Sequence, residues 1–583
     1  MLNYYFRETF AGRLINVLSG DRLLRLPQPQ IPHYGSNDIA RTEDVTNTSP
    51  AGEESDIKAS GTSSQEWIEK TSRNEDVPIA ELAKRLSNHD QSIEDGDPTP
   101  TPEKEATPQD GHNRYIVGWN GDDDPENPRN WPMWLKVWST CMISLLTFSI
   151  YIGSAIYTTG IEDINEQFHV SRVVSTLGLS LFVLGYGLGP MILAPLSEMP
   201  PIGRMPVYII THLLFIALQF PIIYAPNIGT ILAFRFITGF IGSPVLATGA
   251  ASLADIFTPK KLPYAVGIWG NFAICGPVLG PLVSGFAVMA KGWKWSIWIL
   301  IWLNGFCAVF MVLAMPETSA DNVLYRRAQR LKNLTGDDKY KSEGEIAMAN
   351  FSVKDVAMAL LVKPFWLCFV SEPILLVQNV YLGLVYALLY CWFDAFPLVF
   401  MGMYGFNLGQ MGLSYIGILA GAFVCTPPYF YWIRKAIEPQ SKPDGSIEPE
   451  KRLPAAIVGS LFIPICLFWF GWSARPDVHW TMPIIGSSFF VMGAAPLFNS
   501  LISYQADAYP KVVGSVLAGN DLMRSSMGAA FPLFATQMYN ALGVDWGCSM
   551  LGFISIAFIP MPVLLLYYGK RLRMASKYAR HDI

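Results

Sequence analysis

The sequence is short of charge: Asp, Glu, Lys and Arg make up 15% of its 583 residues, against roughly 25% in soluble globular domains. It holds no basic tract of the kind that binds nucleic acid, and its net charge is −5. The GxxxxGK[ST] loop that cradles nucleotide phosphates is missing, so ATP-driven pumping by this chain has no support. HExxH, GxSxG and paired catalytic carboxylates in a soluble domain are missing as well, which excludes an enzyme of those kinds. There is no CxxC or Cys/His spacing, and all eight cysteines lie inside apolar stretches. Neither a metal site nor a cofactor is expected. The N-terminal run does not read as a signal peptide, because Glu8 and Arg13 interrupt it and no small-residue cleavage site follows.

What the sequence has instead is long apolar runs, with 51% hydrophobic residues and a mean hydropathy of +0.28. Twelve stretches are each long enough for about 30 Å of hydrocarbon. They are 134–159, 173–195, 206–225, 228–251, 262–288, 295–315, 365–399, 409–432, 453–472, 482–505, 512–537 and 547–568. A charged interruption with Arg326, Arg327, Arg330, Lys332, Lys339 and Lys341 divides them six and six. The predicted fold class is an all-α membrane protein with twelve transmembrane helices in two six-helix bundles. Its parts are a tail (1–130), a first bundle (131–315), a central loop (316–363), a second bundle (364–568) and a short tail (569–583). Basic residues gather at Arg204, Lys260, Lys261, the central loop, Arg434, Lys435, Arg452 and Lys570, while the opposite segments hold few. That bias puts both termini in the cytoplasm. Residues 1–26 are amphipathic and read either as a helix on the inner leaflet or as a nascent helix, and 35–111 read as disordered.

Polar residues inside the spans are the candidate site, since burying them in hydrocarbon is costly. Arg235 in span 4 costs at least about 2.5–3.5 kcal/mol, so it should face a cavity or a partner. Asn379, Gly383, Tyr386, Tyr390 and Asp394 share one face of span 7, and rings beside an acid suit an apolar or cationic ligand. Asn271, Asn304, Asn499 and Gln505 are further cavity candidates, with Gln378 beside them. Asp521 and Arg524, three apart in span 11, read as a structural pair. Glu198, Arg204 and Asp255 form a candidate inner gate against the plainer reading of a polar loop. Gly276, Pro277, Gly280 and Pro281 make span 5 a bent, small-faced helix. A bulky residue at Gly276 or Gly280 is expected to wedge the interface between the halves.

At these residues the chain resembles the fungal branch of the major facilitator superfamily, specifically the twelve-span drug:proton antiporters that confer resistance to caffeine, fluconazole or benomyl. The resemblance rests on DDPENPRNW (123–131), APLSEMPPIGR, LAFRFITGF, CGPVLGP, MPET (315–318), FDAFPLVF (393–400) and AAFPLFATQMY. It implies an acid and an arginine at the inner loop (Glu198, Arg204), a proton-coupling arginine (Arg235) and an antiporter motif (Gly276, Pro277, Gly280). Asp394, the other proton-coupling candidate, stands where the pattern carries Glu. The implied protein is a monomeric plasma-membrane exporter that exchanges amphipathic small molecules for protons by alternating access, with lipid around it. The rival readings are a proton-coupled importer of a small nutrient or polyamine on the same fold, and a non-transporting membrane sensor.

Overall fold

The computed structural model describes residues 8–18, 115–349, 358, 362–442 and 447–581. The expected disorder of 35–111 lies outside them. Hydrocarbon offers the backbone no hydrogen-bond partner, so the apolar runs close their bonds internally as helices. Eleven helices among the described residues are long and apolar enough to cross a bilayer. Val513–Ala530 is not one of them, because Asn520, Asp521 and Arg524 interrupt its apolar run, yet it packs among the others as span 11.

Spans 1 to 6 are Met133–Ala155, Arg172–Glu198, Arg204–Ile223, Ile228–Ile256, Leu262–Lys291 and Lys294–Ala314. Spans 7 to 10 are Pro373–Met403, Leu408–Gln440, Pro449–Ser473 and Thr481–Ala508. Span 12 lies in Pro532–Ala575, set off from span 11 by Gly543, whose φ of 81° only glycine adopts without strain. Several bounds differ from the sequence reading, the end of span 8 at Gln440 among them. Span 7 starts at Pro373, since the backbone leaves the helix at Glu372 (φ −120°, ψ 92°), and span 12 begins just after Gly543. Span 5 runs unbroken through Pro277 and Pro281. The expected bend is not a break.

The end of the predicted tail is folded onto the central loop. Ser319 caps the helix Ala320–Thr335, and Gly336 closes it with a φ of 70°. Strand β1 (Tyr115–Ile116) pairs in parallel with β2 (Tyr340–Lys341), over a small core of Val117, Ala328, Leu331 and Tyr340. The buried Arg327 guanidinium binds Asp124 at 2.8 Å and Glu126 at 2.9 Å. Burial alone would push the Asp124 carboxyl up, but hydrogen bonds from Arg327 and from the N–H groups of Asn120 and Glu126 hold it below the usual carboxylate range. Glu8 pairs with Arg326 at 2.9 Å, which ties the helix Phe10–Leu18 to the same loop. The amphipathic start is thus anchored by an ion pair.

Candidate translocation site

At the end of the molecule that holds the central loop, Arg204 opens span 3. Gly203 before it has a φ of 80°, and a methyl there would sit 2.7 Å from Glu317 Oε2 and Asn322 Cγ. Arg204 Nε donates to Asp255 Oδ2 at 2.8 Å, and its Nη1 lies 3.8 Å from Glu198. The structure therefore brings the three predicted gate residues together. It adds Glu317, whose buried carboxylate accepts from the N–H groups of Arg204, Met205, Thr318 and Ser319 at 3.0–3.3 Å. An anion at a helix N-terminus offsets the backbone dipole. Glu198, Arg204 and Asp255 belong to the first half and Glu317 directly follows span 6, so the cluster ties the ends of spans 2, 3, 4 and 6 to one another. The second half repeats the device, with Arg452 paired to Asp507 and Arg573 to Glu450.

Arg235 is fully buried. Its guanidinium donates to the carbonyls of Gly178 (3.0 Å), Gly153 (2.8 Å) and Ser154 (3.4 Å). It also stacks on the rings of Phe182 and Tyr157 at 4.3 and 4.7 Å. These contacts join span 4 to spans 1 and 2. The partner that the sequence demanded is backbone oxygen and π-face, with no carboxylate at the guanidinium among the described residues.

The span 7 stripe lies along the second half's face towards spans 2 and 11. Tyr386 and Tyr390 meet Tyr186 of span 2 hydroxyl to hydroxyl, at 2.5 and 2.8 Å. Tyr390 also donates to Ser154 Oγ at 3.1 Å, one residue from a carbonyl held by Arg235. The two halves therefore touch through hydroxyls that can rotate. On the same helix Asn379 accepts from Gln505 (2.9 Å) and Asn520 (2.8 Å), a buried amide group, while Gly383 lies against Met527. At the other end of the stripe Asp394 accepts from Thr536 (2.8 Å) and from Arg172 of span 2 (3.5 Å). Arg172 also reaches Glu162. A cavity of about 140 Å³ opens here, lined by Glu162, Asp163, Arg172, Asp394, Met401 and Tyr415 among others.

The remaining candidates divide. Asn271 donates to Thr426 of span 8 at 2.7 Å, across the halves, and Asn499 is half-buried near Gly270. Asn304 is a correction: it is fully buried inside the first half, donates to the Ser149 and Leu300 carbonyls, and does not line the cavity at Asp394. Gly276 and Gly280 are a second correction. Methyls there would meet Ile152 N at 3.0 Å and Ile156 N at 2.8 Å, both on span 1 of the same half. The seam between halves follows another face of span 5, from Tyr264 and Asn271 to Gly285 against Leu408 O and Pro281 O against Gly412. Asp521 and Arg524 do pair.

Tyr186, Ser154, Arg172 and Glu317 were missed as site residues. Tyr186 left a trace, a lone phenol between Gly185 and Gly187 in an apolar run, and Glu317 another, an acid directly after span 6. Nothing local marks Ser154.

A family model described as Major Facilitator Superfamily matches residues 143–532. Transporter mfs1 of Schizosaccharomyces pombe is 47% identical over 470 residues, which cover 80% of this chain and 88% of that protein. Fluconazole resistance protein 1 of Saccharomyces cerevisiae is 40% identical over 469 residues, covering 80% and 85%. The solved structure of the proton:xylose symporter XylE bound to 6-bromo-6-deoxy-D-glucose superposes with a TM-score of 0.53 at 12% identity, covering 76% of this chain and 96% of that one. That likeness is one of fold.

Proposed function

The chain belongs to the Major Facilitator Superfamily, and from that premise we propose that it exports amphipathic small molecules, azoles among them, in exchange for protons. The observation that carries the reading is the polar column across the two halves: Arg235, the Ser154 backbone and hydroxyl, then Tyr390, Tyr186 and Tyr386. Hydroxyls that donate and accept in turn hold the halves together weakly and let them part, as alternating access requires. The name of the 40% identical fluconazole resistance protein supports the outward direction.

In this reading both termini lie in the cytoplasm, which the basic bias of the loops supports, and the protein acts as a monomer in the plasma membrane. The cavity at Asp394 then faces outward. There the acid meets external protons and a departing cation, while Arg172 competes for the same carboxylate. Glu198, Arg204 and Asp255 steady the cytoplasmic ends of the first half as they move. Gly276, Pro277, Gly280 and Pro281 keep span 5 flush on span 1. Tyr386, Tyr390, Asn271, Asn499 and Gln505 border the substrate path, and Asn379 sets the amide group beside it.

The test is efflux of fluconazole and of rhodamine 6G, a cationic dye, from a pump-deficient yeast expressing this chain. Export that stops on adding a protonophore, with ATP held constant, is the expected result. Uptake in place of export, or efflux indifferent to the proton gradient, overturns the reading.

A further inference from the structure

Asp521 and Arg524 lie one turn apart near the middle of span 11, on the side that meets span 2. Gly187 of span 2 packs there, with its side-chain direction 3.7 Å from the Asp521 carbonyl oxygen. The Arg524 guanidinium donates to Asp521 Oδ1 and lies over the Tyr386 and Phe498 rings at 5.0 and 5.9 Å. Tyr151 of span 1 stands beside it. The pair thus touches both halves. Its fork is only half used. Asp521 Oδ2 and Arg524 Nε are both buried, and neither has a hydrogen-bond partner among the described residues.

A pair that only anchors a helix gains most when the guanidinium and carboxylate join by two parallel bonds. Here one carboxylate oxygen is buried with no donor to it among the described residues, and burial without a donor disfavours the charged form. A proton on Oδ2 would remove the buried negative charge, and with it the hold on Arg524, without displacing any other donor. The titratable group at the carboxylate is Arg524 on its own helix, and Tyr151 of span 1 and Tyr386 of span 7 stand at the guanidinium. Arg524 is the charged group that acts on it, and no second carboxylate does so among the described residues.

We propose that Asp521 carries the coupled proton across the middle of the membrane, with Arg524 as the cation it releases on protonation. The proton adds to Oδ2 and later leaves from it, and no other bond is made or broken. Ionised Asp521 holds Arg524 as seen. Protonated, it leaves the guanidinium over the rings of Tyr386 and Phe498 with its charge unopposed, so that it repels a cationic substrate. The Tyr390–Tyr186–Tyr386 hydroxyls, in contact at 2.5–2.8 Å, lie between this pair and the end of span 7 that bears Asp394. The inference rests on the antiport reading.

The experiment uses the purified full chain in liposomes, with rhodamine 6G and radiolabelled fluconazole as probes. Two signals are read: accumulation driven by an imposed pH gradient, and counterflow without a gradient across pH 5 to 8. Asp521→Asn is expected to cut driven accumulation at least tenfold, while counterflow persists and loses its pH dependence. Driven accumulation at the wild-type level overturns the inference. Should Asp521→Asn abolish counterflow too, the Asp521→Asn/Arg524→Gln double variant decides, because it leaves no orphaned cation. Recovery of pH-independent counterflow supports the proposal. Recovery of driven accumulation, or no recovery at all, overturns it by making the pair structural. A wild type that accumulates neither probe sinks the antiport reading itself, and this inference with it.

Discussion

Arg235 shows how a single side chain can organise a membrane domain without a counter-charge. Three carbonyls from two neighbouring spans share its five donors, and two rings cover its faces. Arg235→Ala removes three hydrogen bonds from a charged donor, at about 1.5–3 kcal/mol each. Export per molecule at the cell surface should vanish, and the thermal midpoint of the purified protein should fall. Arg235→Lys keeps the charge but loses the planar fork, so partial export is the most it should retain. Normal proton-driven efflux by the alanine variant would remove Arg235 from the mechanism. Asp394 invites a different test, because its partners Arg172 and Thr536 belong to different halves. Asp394→Asn cannot change its charge with pH. Export of rhodamine 6G should drop several-fold and its dependence on external pH should flatten, with fluconazole affected less. Unchanged pH profiles for both would leave Asp394 as a structural residue.

At the scale of elements, span 5 serves two interfaces with different surfaces. Its Gly276 side lies on the span 1 backbone, which cannot yield. Leucine at 276 would have to displace Phe148 O and Ile152 N, both within 3.1 Å of the new carbon. Overpacking of that kind costs about 1–3 kcal/mol or more. Gly276→Leu should therefore reach the surface poorly, and full surface expression with impaired transport would instead return it to the seam. The central-loop clasp is a second element with its own chemistry. The Asp124 carboxyl is held below its unfolded value of about 3.9, so its contribution is present above that pH and is lost as pH falls through the lower folded value. Proteolysis within 115–131 of the purified protein should stay slow down to about pH 4 and quicken below it. Asp124→Asn should be cut faster at neutral pH and show a flatter pH response. An unaltered profile would mean that Glu126 and the β1–β2 pairing hold the clasp alone.

At the scale of the molecule, the halves meet along two seams. Spans 5 and 8 touch from Tyr264–Glu438 through Asn271–Thr426 to Gly285–Leu408, and spans 2 and 7 meet through the tyrosine hydroxyls. Gly412 lies at the first seam, where a methyl would come within 2.6 Å of Pro281 O. Unlike spans within a bundle, the halves can separate to admit a side chain. Gly412→Leu should fold and reach the surface, fail to close the end opposite the termini, and lose export at least tenfold. A cysteine replacing Thr158, which lines the cavity near Asp394, should then react faster with an impermeant maleimide added outside. Unchanged labelling together with normal export would show that this seam does not gate.

The order of spans, the division into halves and the bias of basic residues were all legible along the chain, because hydrocarbon forces the backbone into helices and hydropathy then suffices. The span 7 stripe was legible for a related reason: one helical face is a matter of spacing alone. Its partners were not. Tyr186 lies 200 residues from Tyr386, and its meeting with that hydroxyl depends on how two helices rotate and slide against all their neighbours. The same dependence turned Gly276 towards span 1, put Asn304 inside a bundle and gave Arg235 carbonyls in place of an acid. Asp521 and Arg524 could be paired from their spacing, but the carboxylate oxygen left free at the junction of the halves is a product of packing, which no local pattern encodes.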